Sequence, residues 1–346
     1  MDIYSTAALV GVVPNLKLSQ NWLLDSFFPN IVESDKEAVA IDVDVGLRRM
    51  APFVSPLVAG KLVESRRMQT NEFKPAYIKD KRAPDLRKPV RRQIGERVGG
   101  ELSAGEREMI NLQLEMADQI DILNRRLEWM ASSALCTGTV TIKGDGFPPT
   151  LIDFQRDPAL TIALSSGARW TPANIAAETA SPTTDLDNWA TLVLKKSGAV
   201  VTDVVFTTKS WQAFTKDPVL KTANWYPGQG GAGNSIQLGT QVQRGAVSKG
   251  VWGQYRLWLY NDWYIDPEDG VEKPMIPDGG VVLTGPDLQG TRAFGAIMDP
   301  DFNYGAMAYA PKSWVEKDPA QRLVLMQSSP VVIPSRANGA LFAQVN

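Results

Sequence analysis

Residues 103–138 read SAGEREMINLQLEMADQIDILNRRLEWMASSALCTG. Apolar residues recur at Met109, Leu112, Met116, Ile120, Leu123, Leu127, Met130 and Ala134. Their mean step is about 3.6 residues, the α-helical period, so the spacing predicts one long amphipathic helix over 103–137. Ser103 followed by Glu106 forms a capping box, in which each side chain satisfies an orphan backbone N–H. Gly138 supplies the stop, because glycine adopts the left-handed conformation that ends a helix at little cost. At about 1.5 Å per residue the rod is roughly 50 Å long. Its seam drifts rather than holding a strict heptad, which favours packing on a sheet over a long coiled coil.

The stretch before the helix is its opposite in character. Residues 52–92 read PFVSPLVAGKLVESRRMQTNEFKPAYIKDKRAPDLRKPVRR. Pro52, Pro56, Pro75, Pro84 and Pro89 forbid a helix and a central strand. The segment reads as an extended hairpin, with LVAGKLV (57–63) and FKPAYI (73–78) as strands and a tip at 67–71. Two arms of about 15 residues would reach roughly 50 Å. A two-stranded ribbon of that length is not stable alone in water and needs a surface to lie on.

Charge narrows the choice of surface. From 61 to 97 there are twelve Lys or Arg against five Asp or Glu, while the whole chain is −2, so the remainder is −9. A basic arm on an acidic body points to docking on a second copy. A solvated arm and a nucleic-acid contact are the alternatives, and Phe73 and Tyr77 are the only aromatic platforms within the run. The candidate contact residues are Lys61, Arg66, Arg67, Phe73, Lys74, Tyr77, Lys79, Lys81 and Arg82.

The rest of the 346 residues constrains function mainly by exclusion. There is no histidine, which removes the commonest general base and metal ligand. One cysteine, Cys136, excludes an internal disulfide framework and reads as a small buried hydrophobe. Gly228, Gly230 and Gly233 spell GxGxxG, but no strand precedes them, so 227–235 reads as a loop rather than a nucleotide site. Asp266, Glu268 and Asp269 fit a turn better than a cation site, and Asp299 and Asp301 flank Pro300 without an evident partner. Trp252, Tyr255, Trp258, Tyr260, Trp263 and Tyr264 suit a core strand better than base stacking. No catalytic, cofactor or metal site is expected, and no apolar run is long enough to span a bilayer.

Short elements fill in around the long helix. NWLLDSFFPN predicts a brief helix in an N-terminal arm, ended by Pro29. Strands are expected at 139–143, 150–154, 160–164, 200–208, 251–265, 281–285 and 322–327. Helices are expected at 185–196 and 210–214, and 165–184 reads as loop. Strands and helices alternate irregularly, so the fold class is α+β.

This order of elements resembles the Hong Kong 97-type phage capsid subunit, and the local sequence is similar to the lambda-like capsid E family. The stretches that carry the likeness are FVSPLVAGKLVESR (53–66), NEFKPAYIKDK (71–81), AVSKGVWG (246–253), IPDGGVVLTG (276–285) and APKSWVEKDPAQRLVLMQSSP (310–330). The resemblance implies an N-terminal arm over 1–51 and an extended loop over 52–92, lying on a neighbouring copy. It implies a peripheral domain over 93–169 that carries the long helix, an axial domain over 170–310, and a return to the peripheral domain over 311–346. It implies a virion shell of hexamers and pentamers, built in the host cytoplasm with a scaffold and a portal. A decoration protein would reinforce the shell, which would enclose double-stranded DNA through non-specific contacts. A nanocompartment shell of the encapsulin type is the alternative within the same fold. Some capsids of this fold weld a loop lysine to a neighbour's asparagine; Lys61, Lys74, Lys79 and Lys81 sit among other charges, so non-covalent shells are expected.

Overall fold

A computed structural model of the chain describes residues 21–36, 38–44, 50–57, 59, 68–84, 103–144, 146–225, 235–236, 245–317 and 320–346. The long helix runs Ala104–Thr137, with both halves of the Ser103–Glu106 capping box formed and Gly138 left-handed at φ 73°. Leu112, Met116, Ile120, Leu123, Leu127 and Met130 are buried along its seam. Arg156 closes the C-terminal end: its guanidinium donates to the carbonyls of Leu135 and Cys136, placing positive charge where the helix dipole is negative. Burial pushes that guanidinium down to about 10.

One mixed sheet of seven strands separates two cores. Its order is Thr161–Ala163, Leu341–Gln344, Gly280–Thr284, Asp203–Phe206, Tyr255–Asn261, Gly245–Trp252 and Ser235–Ile236. Successive side chains of a strand point to opposite faces. Val204, Phe206, Val281 and Leu283 therefore join the core under the helices Pro182–Ser197 and Thr208–Phe214. Val205, Val282, Tyr260 and Phe342 join the core of the long helix. A three-stranded sheet of Asn30–Glu33, Gly290–Phe294 and Pro330–Pro334 packs on the long helix through its last strand. A second, of Ala310–Lys317, Ala320–Ser328 and Ile78–Arg82, lies beside it.

The buried face of the long helix also carries four polar residues: Gln119, Asn124, Glu128 and Ser132. Each meets a different segment. Gln119 donates to the Asp80 carbonyl at 2.9 Å, and Asn124 accepts from the Tyr309 hydroxyl at 2.6 Å. Glu128 accepts the N–H groups of Leu23 and Leu24, and Ser132 donates to the Met275 carbonyl.

Several expected elements take a different form. The single strand expected over 251–265 is broken, because Gly253 at φ 59° turns Gly245–Trp252 back onto Tyr255–Asn261, and Trp263–Ile265 pairs separately with Glu272–Pro274. The expected loop 165–184 holds a short helix, Pro172–Ala176, capped by Thr171. The helix expected from 185 starts at Pro182, a residue whose missing N–H costs nothing in a first turn. The GxGxxG loop lies outside the described residues.

The extended segment differs most. Met68–Phe73 pairs antiparallel with Val39–Asp44, Phe73 opposite Val39 and Met68 opposite Asp44. The expected tip is thus mid-strand, and the chain reverses between 44 and 68. Of LVAGKLV only Leu57 and Ala59 are described, neither in a strand. FKPAYI is not one strand either. Phe73 ends one and Ile78 begins the next, while Ala76 ties the crossing down by donating to the Pro330 carbonyl at 3.1 Å. Strand membership also cuts across the expected divisions near 170 and 310: Leu341–Gln344 lies in the seven-stranded sheet, and Gly290–Phe294 lies in a sheet on the long helix.

Adjacent residues of the long helix give a direct test of this packing. Leu123 is 2% exposed and Ile122 51% exposed. Leu123→Ala should destabilise the unassembled subunit by about 2–5 kcal/mol in urea unfolding. Ile122→Ala should stay within about 0.5 kcal/mol.

Candidate assembly surface

The strand Ile78–Arg82 joins the extended segment to the body, and its alternation sorts the candidate contact residues. Lys79 and Lys81 are exposed, while Ile78, Asp80 and Arg82 are partly buried. The Lys79 ammonium lies 5.1 Å from the Tyr77 ring centre, and that of Lys81 lies 5.4 Å from the Trp314 ring centre. Both are cation–π distances, with the charge still facing water.

Three other candidates are used inside the chain. Phe73 is buried against Phe154, with ring centres 5.6 Å apart. The Tyr77 hydroxyl donates to Gln327 at 2.9 Å and accepts the Met298 N–H at 3.1 Å, and burial raises its pKa. Arg82 bridges Asp80 on its own strand to Glu115 and Asp118 on the long helix. Partial burial works against its charge, but the hydrogen bonds and charges of Asp80 and Asp118 outweigh that and raise its pKa. Lys74 is exposed at the crossing. Lys61, Arg66 and Arg67 lie outside the described residues.

The acidic pairs singled out from the sequence have structural partners. Asp299 accepts from Lys312 and Gln327 and caps a short turn through the Asp301 N–H. Burial opposes its ionisation, yet those hydrogen bonds hold the carboxyl below its ordinary range. Asp266 and Asp269 cap their own turn, and Lys273 bridges both. Among the described residues, no cluster of three or more Cys, Asp or Glu is placed to hold a metal ion. Of the aromatics, Tyr255 and Tyr260 are buried, whereas Trp263 is half exposed.

Large apolar side chains nevertheless remain exposed. In the proline-rich segment, Met50, Phe53 and Leu57 are almost wholly exposed, with Phe53 at 103%. Leu114 and Ile122 on the long helix and Ile265 on the adjoining ribbon are exposed as well. Two clefts of about 710 and 630 Å³ flank that helix, sharing a wall made by Arg126 stacked on Trp129 at 5.2 Å. Protruding apolar groups on one chain fit a protein completed by association.

A long helix packed under a mixed sheet, a second core on the other face of that sheet, and an antiparallel ribbon of Val39–Asp44 with Met68–Phe73 make the architecture of a phage capsid subunit of the Hong Kong 97 type. A solved chain described as the capsid protein of a prophage in Escherichia coli CFT073 superposes with a TM-score of 0.75 at 21% identity, over 99% of both chains. The chain belongs to the family "Phage major capsid protein E", whose pattern matches residues 5–345. It is 30% identical to the major capsid protein of Escherichia phage lambda, over 96% of each chain. It is 29% identical to that of Enterobacteria phage phi80 over the same shares.

The Arg82 bridge is the charged joint between the ribbon and the long helix. Arg82→Ala would leave Asp80, Glu115 and Asp118 facing one another. With Asp118 61% exposed the cost is damped by solvent, and a loss of about 1–2 kcal/mol is expected in denaturant unfolding, smaller in high salt.

Proposed function

We propose that copies of this chain tile the icosahedral head of a bacteriophage as hexamers and pentamers, enclosing double-stranded DNA. The observation that carries this reading is the collinear match to a capsid family over nearly the whole chain, 30% identical to the lambda protein. The subunit's own physics agrees with it. Phe53 and its neighbours are apolar groups that a lone chain leaves in water, and covering each would contribute about 1.5–3 kcal/mol.

In this reading the ribbon built on 39–44 and 68–73, with the linking residues 45–67, lies over an adjacent copy of the same capsomer. Its basic run, including Lys61, Arg66, Arg67, Lys74, Lys79 and Lys81, meets the acidic body of that copy. A scaffold and a portal assist assembly, and a decoration protein reinforces the finished shell. The shell touches DNA through non-specific phosphate contacts. The chain's role is structural and requires no catalysis.

Particles made with the other head proteins, imaged by negative stain, should be closed shells that hold DNA and no enzyme cargo; enzyme cargo without DNA would point instead to a nanocompartment. Replacing 50–67 with a short glycine–serine linker keeps the strand Met68–Phe73 and the buried Phe73, and should leave a folded subunit that closes no shells; normal particles from that variant would sink the docking role of the ribbon. Early assembly should slow as rising salt shortens the Debye length below about 8 Å. Boiled in detergent, mature shells should run as one band at the monomer mass, whereas a ladder would reveal covalent links.

A further inference from the structure

Glu128 is 1% exposed, and hydrogen-bond donors from far along the chain surround it. Its Oε1 accepts the Leu23 N–H at 2.9 Å and the Tyr260 hydroxyl at 2.8 Å, and its Oε2 accepts the Leu24 N–H at 2.9 Å. Leu23 and Leu24 belong to the first turn of the arm helix Trp22–Phe27. Asn21, at the N-cap position, makes no side-chain capping bond. The buried carboxyl of Glu128 does that work from the long helix.

The other end of the segment is held by opposite charge. Arg292 donates to the Phe28 carbonyl at 2.7 Å and the Leu24 carbonyl at 3.0 Å, and pairs with Asp25. Leu23, Leu24, Phe27 and Phe28 are buried beneath, and the Trp22 ring lies 5.0 Å from that of Trp258 and 6.0 Å from that of Tyr260. The segment is a strap, apolar along its underside and clamped by an anion at one end and a cation at the other.

We propose that residues 21–28 form an openable strap latched by the Glu128 carboxyl, and that the latch tightens when that carboxyl takes up a proton. The Tyr260 hydroxyl makes both forms compatible with the closed geometry, since it can donate to a carboxylate or accept from a carboxylic acid. The chain has no histidine, so the usual switch near neutral pH is missing. Burial pushes Glu128 up to about 7 against the pull of its three hydrogen bonds, with Asp262 adding to the rise. The charged and titratable groups around it are Arg125 on its own helix, Tyr260 and Asp262 at the end of the strand Tyr255–Asn261, Asp25 on the strap, Arg292 on the neighbouring strand and Tyr309 at Asn124.

The sign follows from proton uptake. Lifting the strap returns the carboxyl to water and towards its ordinary value of 4.5. The closed form therefore binds the proton more tightly, and closure is favoured in acid and weakened as pH rises from 4.5 through about 7. Between about pH 8 and about pH 5.5 this difference lowers the opening equilibrium roughly thirtyfold.

Hydrogen exchange of a peptide spanning 21–28 in the full chain, corrected for intrinsic rates, reads that equilibrium. Protection should rise about thirtyfold from about pH 8 to about pH 5.5, while amides of 341–344 show no such trend. Glu128→Gln retains Asp25, Asp262, Arg125 and Arg292 and should abolish the trend. If that variant does not fold, Tyr260→Phe keeps the ring, removes one bond to the carboxylate and should move the transition to higher pH. A pH-independent strap in the unmodified chain would overturn the proposal. So would an unchanged trend in Glu128→Gln, or an unmoved transition in Tyr260→Phe.

Discussion

The structure depends on the buried face of one helix, which is sticky in two ways. Leu112, Met116, Ile120, Leu123, Leu127 and Met130 supply non-directional attraction, about 1.5–3 kcal/mol for each side chain removed from water. Gln119, Asn124, Glu128 and Ser132 interrupt that stripe at steps of five, four and four residues, so they too lie along one face. A buried polar group without a partner is costly, and each of these side chains has found one on a different distant segment, with only the Gln119 Oε1 among their buried polar atoms left without a donor. The apolar residues make the helix attract the rest of the chain, and the polar ones fix which segment sits at which level.

The seven-stranded sheet extends that order to the second core. Because alternate residues of Asp203–Phe206 and Gly280–Thr284 face opposite ways, a register slip of one residue would exchange the two cores. Leu341–Gln344 pairs between Thr161–Ala163 and Gly280–Thr284, so the end of the chain locks together segments distant in sequence. The result is one sheet that joins the two cores.

In the proposed reading, the ribbon and its linking residues carry assembly. Arg82 and Gln119 anchor the root of the ribbon to the long helix, and Tyr77 anchors it through Gln327 and the Met298 N–H. Beyond that root, Phe53 and its neighbours make no core of their own. Such a division would serve the proposed shell subunit: a packed centre, and apolar surface left for copies to cover. Glu128 joins the two regimes, since the residue that caps the arm helix belongs to the rod on which the body is built.

The sequence by itself determined the features that depend on near neighbours. The long helix, its Ser103–Glu106 capping box, its Gly138 stop and the buried Cys136 follow from periodicity and local backbone chemistry, acting over a few residues. The family likeness was legible because short stretches kept their order along the chain. Partner choice was decided by tertiary structure. Nothing local distinguishes Met68–Phe73 as a partner for Val39–Asp44 from the same strand paired within 52–92. Nothing local marks Glu128, one of many acids on a helix, as the cap of another helix 104 residues away. Strand pairing and burial of a carboxyl are settled by which surfaces the folded chain brings together, and a periodic pattern records only which side of an element is apolar.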